Sequence, residues 1–213
     1  MKQQKRECLR AAGLLAVFVL WTVLVCNVDV RPIGPAGSEV GFATVNKFFH
    51  DATGVNMNLY IITDWLSLIP LGIAAGFALL GLVQWIQRKK LMAVDRSILV
   101  LGGFYAVTVT VFALFEVLAV NYRPVLIDGV LEASYPSSTT MLVLCVMPTA
   151  SMELCSRIRS EARKKWIRFL TGLFTVFMIG GRFASGVHWI TDIVGSILLS
   201  AGLVKFYMAL TEH

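Results

Sequence analysis

Long apolar runs alternate with short polar, often basic, segments from one end of the chain to the other. Six runs stand out, at about 11–28, 60–87, 98–122, 139–155, 166–181 and 189–208. The longer ones reach or approach the ~20 residues a helix needs to cross a hydrocarbon layer of about 30 Å. The fourth and fifth are shorter and are expected to extend into the interfaces. The pattern therefore predicts an all-α fold, a bundle of six transmembrane helices. Pro70 and Pro148 fall inside predicted helices, where bundle neighbours can re-satisfy a freed carbonyl. The longest connection, 29–59, opens with the turn-rich RPIGPAG. It also contains GFATVNKFFH, which reads as a short amphipathic helix on the outer membrane surface.

Composition agrees with this class. The 213 residues are 57% hydrophobic and only 15% charged, outside the range of soluble domains. One integral membrane domain over 1–213 is expected, its motif-bearing core at about 98–208. The start, MKQQKRECLR before Ala11 to Val28, resembles a secretory signal but lacks a small-residue cleavage pattern, so it reads as a retained first helix. The cysteines Cys8, Cys26, Cys145 and Cys155 have no metal-ligand spacing and read as small packing residues.

The net charge of +6 does not point to nucleic acid, because the basic residues are distributed as topology signals. With the N-terminus in the cytoplasm, fifteen of the nineteen fall on cytoplasmic segments and helix ends: Lys2, Lys5, Arg6, Arg10, Arg88, Lys89, Lys90, Arg96, Arg157, Arg159, Arg163, Lys164, Lys165, Arg168 and Lys205. Only Arg31, Lys47, Arg123 and Arg182 remain outside. Both termini are then cytoplasmic. The tryptophans mostly mark helix ends, as an interfacial belt would.

The candidate chemistry collects on the outer side. Arg123 and Arg182 stand at outer helix ends against the charge trend, and two guanidiniums can grip a phosphate with bidentate forks. Headgroup snorkelling is the plainer explanation. His188 and Asp192 are four apart where the sixth helix begins, a spacing that lets a carboxylate orient an imidazole. Tyr135 to Thr140, YPSSTT, opens the fourth helix. Pro followed by Ser-Ser-Thr reads first as an N-cap, and a helix start also offers free N–H groups to an anion. Ser137, Ser138 and Thr139 sit there. Scattered structural polar residues would have no reason to segregate to one side.

Arg123-Pro124, Pro136-Ser137 and the set Arg182, His188, Asp192 resemble, in this order, the motifs of the type 2 phosphatidic acid phosphatase superfamily, in its integral-membrane branch. The resemblance implies that His188 attacks phosphorus and forms a phospho-histidine, with Asp192 orienting it. It implies that Arg123, Arg182 and Ser137 hold the phosphoryl oxygens, with no metal and no cofactor. The chain departs from the pattern at three places. Glu116 stands where the first motif has Lys, Ser138-Thr139 where the second has Gly-His, and Gly181 where the third has Ser.

The missing His is the family's general acid, a contribution of ~10²–10⁴-fold. A phosphate leaves without a proton more readily than an alcohol does. The expected substrate is therefore a lipid phosphate, with a polyprenyl diphosphate preferred. Glu116 is a candidate modulator, placed to pair with Arg123 or Arg182. Asp64 reads as an interfacial carboxylate, and His50 as a surface residue that reaches the site only if the outer loop folds over it. Two other readings stay open: a catalytically weak member that binds phospholipid headgroups, and a lipid phosphotransferase. The expected setting is a bacterial inner membrane with the site facing outward. The partners are the bilayer and the lipid; oligomeric state is left open.

Overall fold

The fold comes from a computed structural model that describes residues 2–211. The expected cytoplasmic placement of both termini involves residues 1 and 212–213, which lie outside the described chain, as does the side chain of Lys2. Among the described residues eight α-helices run in the order α1 (Lys2–Asn27), α2 (Ala43–Thr53), α3 (Met57–Leu66), α4 (Leu68–Arg88), α5 (Arg96–Leu118), α6 (Ser138–Arg157), α7 (Glu161–Ala184) and α8 (Ile190–Thr211). Among the described residues six spans are long and apolar enough to cross a membrane, with α3 and α4 forming one of them. The protein is a multi-pass, all-helical membrane protein.

The helices match the predicted runs with shifted ends. The second run is broken at Ser67, whose backbone N–H bonds back to Thr63 and Asp64. Pro70 consequently sits in the first turn of α4, where an N–H has no helical acceptor and its absence is harmless. Pro148 does lie inside α6, as expected. The amphipathic helix forms as α2, with Phe48 exposed and Asn46 buried on the opposite face.

Burial does not follow hydropathy. The span Met57–Arg88 has a mean hydropathy of 2.3 and is 11% buried, whereas α6 has 1.3 and is 67% buried. Lipid is the solvent here, so the most apolar helices face outward. The central helix, α6, carries hydroxyls and a carboxylate along its length that find partners inside the bundle. Around α6 pack α4, α5, α7 and α8, and α1 lies along α8. Loops 28–42, 54–56, 119–137 and 185–189 therefore gather at one end of the bundle, and the connections 89–95 and 158–160 at the other.

Candidate active site

Arg123 is held by the connection between α5 and α6. The left-handed backbone of Ala119 ends α5 at Leu118, earlier than the predicted 122. The chain then doubles back through bridges pairing Tyr122 with Ala133 and Ile127 with Val130. Arg123 N–H donates to the Glu132 carbonyl at 3.0 Å, and its Nε lies 2.9 Å from Glu132 Oε2. The side chain is 7% exposed.

Arg182 comes from the last turn of α7, inside the helix rather than after it, and is 1% exposed. Its Nη1 donates to Thr63 Oγ1 at 3.4 Å and lies 3.7 Å from Asp64 Oδ1. Gly181 makes this approach possible: a Cβ there would come within 2.7 Å of Thr63 Cγ2. The glycine that replaces the family's serine is thus the contact point between α7 and α3.

His188 lies in the 185–189 loop and is 4% exposed. Its Nε2 is 3.4 Å from Arg123 Nη1, and its Nδ1 is 3.7 Å from Asp192 Oδ2. The second distance is a charge contact, longer than the hydrogen bond the spacing suggested, because Asp192 is held by its own loop. Its Oδ2 accepts the Trp189 N–H at 3.0 Å, and its Oδ1 faces Asn121 Nδ2 at 3.4 Å. Burial, then the charges of Arg123 and Arg182, hold the His188 pKa well below the usual histidine range. The imidazole is neutral, with Nε2 turned toward the guanidinium.

Ser137, at the N-cap position of α6, is fully buried and does not cap the helix; its Oγ accepts from Thr140 Oγ1 at 3.0 Å. Its own N–H reaches the Asp192 carbonyl at 3.4 Å, and its carbonyl accepts from Ser196 Oγ at 3.1 Å. The start of α6 is thereby fixed to α8. Thr139 is buried in the next turn, while Ser138 faces a cavity of about 730 Å³ shared with Arg123, Glu116, Glu132 and Tyr122. Glu116 lines that cavity but pairs with neither arginine. The helix has ended before Arg123, so the two share no helical face, and Glu132 and Asp64 take the places expected of it.

Several neighbours escaped the sequence reading. Asn46 of α2 donates to Thr191 Oγ1 at 2.9 Å and accepts from Thr191 N at 3.3 Å. Trp189 is buried, with Nε1 donating to the Tyr122 carbonyl at 2.7 Å, so it braces the site instead of joining the interfacial belt. His50, which the sequence reading left at the surface, instead packs 5.4 Å from the Trp189 ring, and burial lowers its pKa. Gly186 takes a left-handed backbone, φ +67°, and leaves room only for hydrogen: a Cβ would fall 1.8 Å from the Gly54 carbonyl. Such loop contacts carry no periodic or charge signal.

What results is a buried neutral imidazole against the Arg123 guanidinium, with a second buried guanidinium, Arg182, whose Nε has no hydrogen-bond partner, backed by a carboxylate and a fixed helix start. Buried cations left this open suit an anion of matching geometry. No curated protein matches the chain in sequence. Its fold is similar to the crystal structure of a transmembrane PAP2-type phosphatidylglycerolphosphate phosphatase from Bacillus subtilis, with a TM-score of 0.59, 18% identity and 93% of each chain covered. The profile of the PAP2 superfamily matches residues 103–212, which contain Arg123, Ser137, Arg182, His188 and Asp192. With more than half of its length matched, the chain belongs to the PAP2 superfamily.

Proposed function

We propose that the protein, acting as a single domain, is a membrane lipid phosphatase working through a phospho-histidine at the extracytoplasmic face of a bacterial inner membrane. One observation carries the reading. His188 Nε2 faces Arg123 Nη1 at 3.4 Å while the buried Nε of Arg182 lacks a hydrogen-bond partner and Arg123 Nε is held by Glu132. A phosphoryl group bound to the guanidiniums lies against a neutral nitrogen lone pair. In the first step Nε2–P forms and the P–O bond to the leaving group breaks. Asp192 stabilises the positive charge that develops on the ring, and Ser137 and Ser138 stand at the helix start. In the second step water attacks the phospho-histidine and frees phosphate and His188.

For the substrate we favour a polyprenyl diphosphate. Thr139 supplies no proton, and a phosphate leaving group needs one least. A second reading rests on Glu116 and Glu132, which line the cavity beside Arg123. Two carboxylates there repel a second phosphate and favour a lipid phosphomonoester, the class named for the Bacillus subtilis phosphatase. The experiment is phosphate release from a polyprenyl diphosphate, phosphatidic acid and phosphatidylglycerol phosphate, run beside His188→Ala. Faster turnover of the diphosphate supports the first reading, and faster turnover of either monoester the second. No release from any of them, with no trapped phospho-histidine, leaves a headgroup binder. Transfer to an added alcohol in place of water marks a phosphotransferase.

A further inference from the structure

Tyr60 belongs to none of the motifs and lies outside residues 103–212, yet it touches both guanidiniums. Its ring centroid is 4.8 Å from Arg182 Cζ and 5.8 Å from Arg123 Cζ. Two buried cations this close repel, and the repulsion is strongest when no anion lies between them. Asp64 and Glu132 each contact one guanidinium only. The Tyr60 face is the feature the two share.

An aromatic face attracts a cation through its quadrupole without accepting the in-plane N–H bonds that a phosphate requires. A carboxylate in the same position would hold the arginines and also occupy those donors. The ring is itself well anchored. Asn56 caps α3 by accepting the Leu59 N–H at 3.0 Å, and the Asn56 N–H donates to the Ser185 carbonyl at 2.9 Å. The start of α3 is thus tied to the loop that carries His188. One turn on, Thr63 packs on Gly181 and accepts from Arg182.

We propose that Tyr60 is a positioning residue that holds Arg123 and Arg182 together as one phosphoryl cradle while itself taking none of their in-plane N–H donors. The inference rests on the reading of this site as a phosphate-handling one. Its test is binding of orthovanadate and orthophosphate to the purified full-length protein in detergent, measured by calorimetry. The variants are Tyr60→Phe, its mono-, di- and trifluorinated analogues, and Tyr60→Leu. Fluorine drains the ring's negative face while nearly preserving its size, so the series separates electrostatics from packing even if Tyr60→Leu fails to fold.

Tyr60→Phe is expected within about twofold of the parent, with affinity falling at each fluorine to a total loss of roughly 3–30-fold. In the phosphatase assay the same series raises KM more than it lowers kcat. A flat fluorine series overturns the proposal, as does Tyr60→Phe losing as much as Tyr60→Leu. A flat series in an enzyme that releases phosphate sinks only the role of Tyr60. A declining series in a protein that releases no phosphate sinks only the hydrolase reading. A parent protein that binds neither anion sinks both.

Discussion

The two ends of the bundle treat buried charge in opposite ways. At the end formed by 89–95 and 158–160, buried Glu153 accepts from Ser97 Oγ at 2.8 Å and from Arg157 Nε and Nη2 at 2.9 and 2.7 Å. Arg157 continues to Asp95, which also receives Arg88 and Gln84. Nearby, Glu7 of α1 pairs with Arg10 and with Lys205 of α8. At the other end Arg123, Arg182 and His188 are also buried; Glu132 holds Arg123 Nε, but Arg182 Nε is left without a hydrogen-bond partner and His188 Nδ1 stands 3.7 Å from Asp192. Saturated charges tie helices together; unsaturated ones hold a shape for something that arrives later. Family resemblance plays no part in that distinction, which makes it a separate line of support for the site.

The largest test removes the nucleophile. His188→Ala is expected to lower phosphate release by roughly 10⁴-fold or more, while its thermal unfolding in detergent stays near the parent's. Loss of folding in place of loss of turnover would erase the contrast. Next comes a matched pair. Arg182→Met is expected to cost ~10²–10³-fold in kcat/KM with stability unchanged or higher, because it removes a buried, poorly paired cation. Glu153→Gln at the opposite end is expected to leave kcat/KM alone and to destabilise by about 1–3 kcal/mol, stranding Arg157 and Ser97. If the two variants exchanged phenotypes, the assignment of the ends would be reversed.

A smaller effect is expected for Asn46→Ala. It removes the bonds that α2 makes to Thr191, beside Asp192, and is predicted to lower kcat by about 3–10-fold, in line with ~1 kcal/mol for a buried hydrogen bond. Unaltered kcat would make α2 a surface helix only. The smallest is a shift in pH dependence. Because His188 is held neutral, the acid limb of kcat/KM belongs below pH 6.5, and Arg123→Leu should move it upward by relieving repulsion of the imidazolium. The sign for stability follows: an unfolded chain protonates this histidine below about 6.5 and the folded one does not, so its contribution falls as pH drops through that value. A limb at 6.5 in both proteins would show a histidine uncoupled from the arginines.

How much of this was legible beforehand depended on the kind of signal. The six spans were, because twenty apolar residues in a row admit few other fates. Arg123, Arg182, His188 and Asp192 stood out because the two arginines oppose the expected charge trend and the order of all four resembles a family's motifs; the structure brings them to one end of the bundle. The His188–Asp192 spacing promised a direct hydrogen bond, and the 3.7 Å found instead reflects the Trp189 N–H taking that oxygen. Glu132, Asn46, Thr63 and Tyr60 were not legible. Each acts across more than fifty residues or from an irregular loop, and nothing in the local pattern of α3 distinguishes Tyr60 from an ordinary interfacial aromatic. Glu116 misled for the converse reason: its helical register with Arg123 was correct on paper, and the chain left the helix first.

One close contact limits how the loop bearing His188 can move. Gly186 and the Gly54 carbonyl meet with no space for a methyl group, and Asn56 is bonded to Ser185 alongside. The connection from α2 to α3 and the turn bearing the imidazole are thus joined backbone to backbone. Prying them apart would disturb His188, the proposed nucleophile. None of the residues of that seam lines the cavity bounded by Glu116, Ser138 and Arg123, so a headgroup entering there would leave the seam closed.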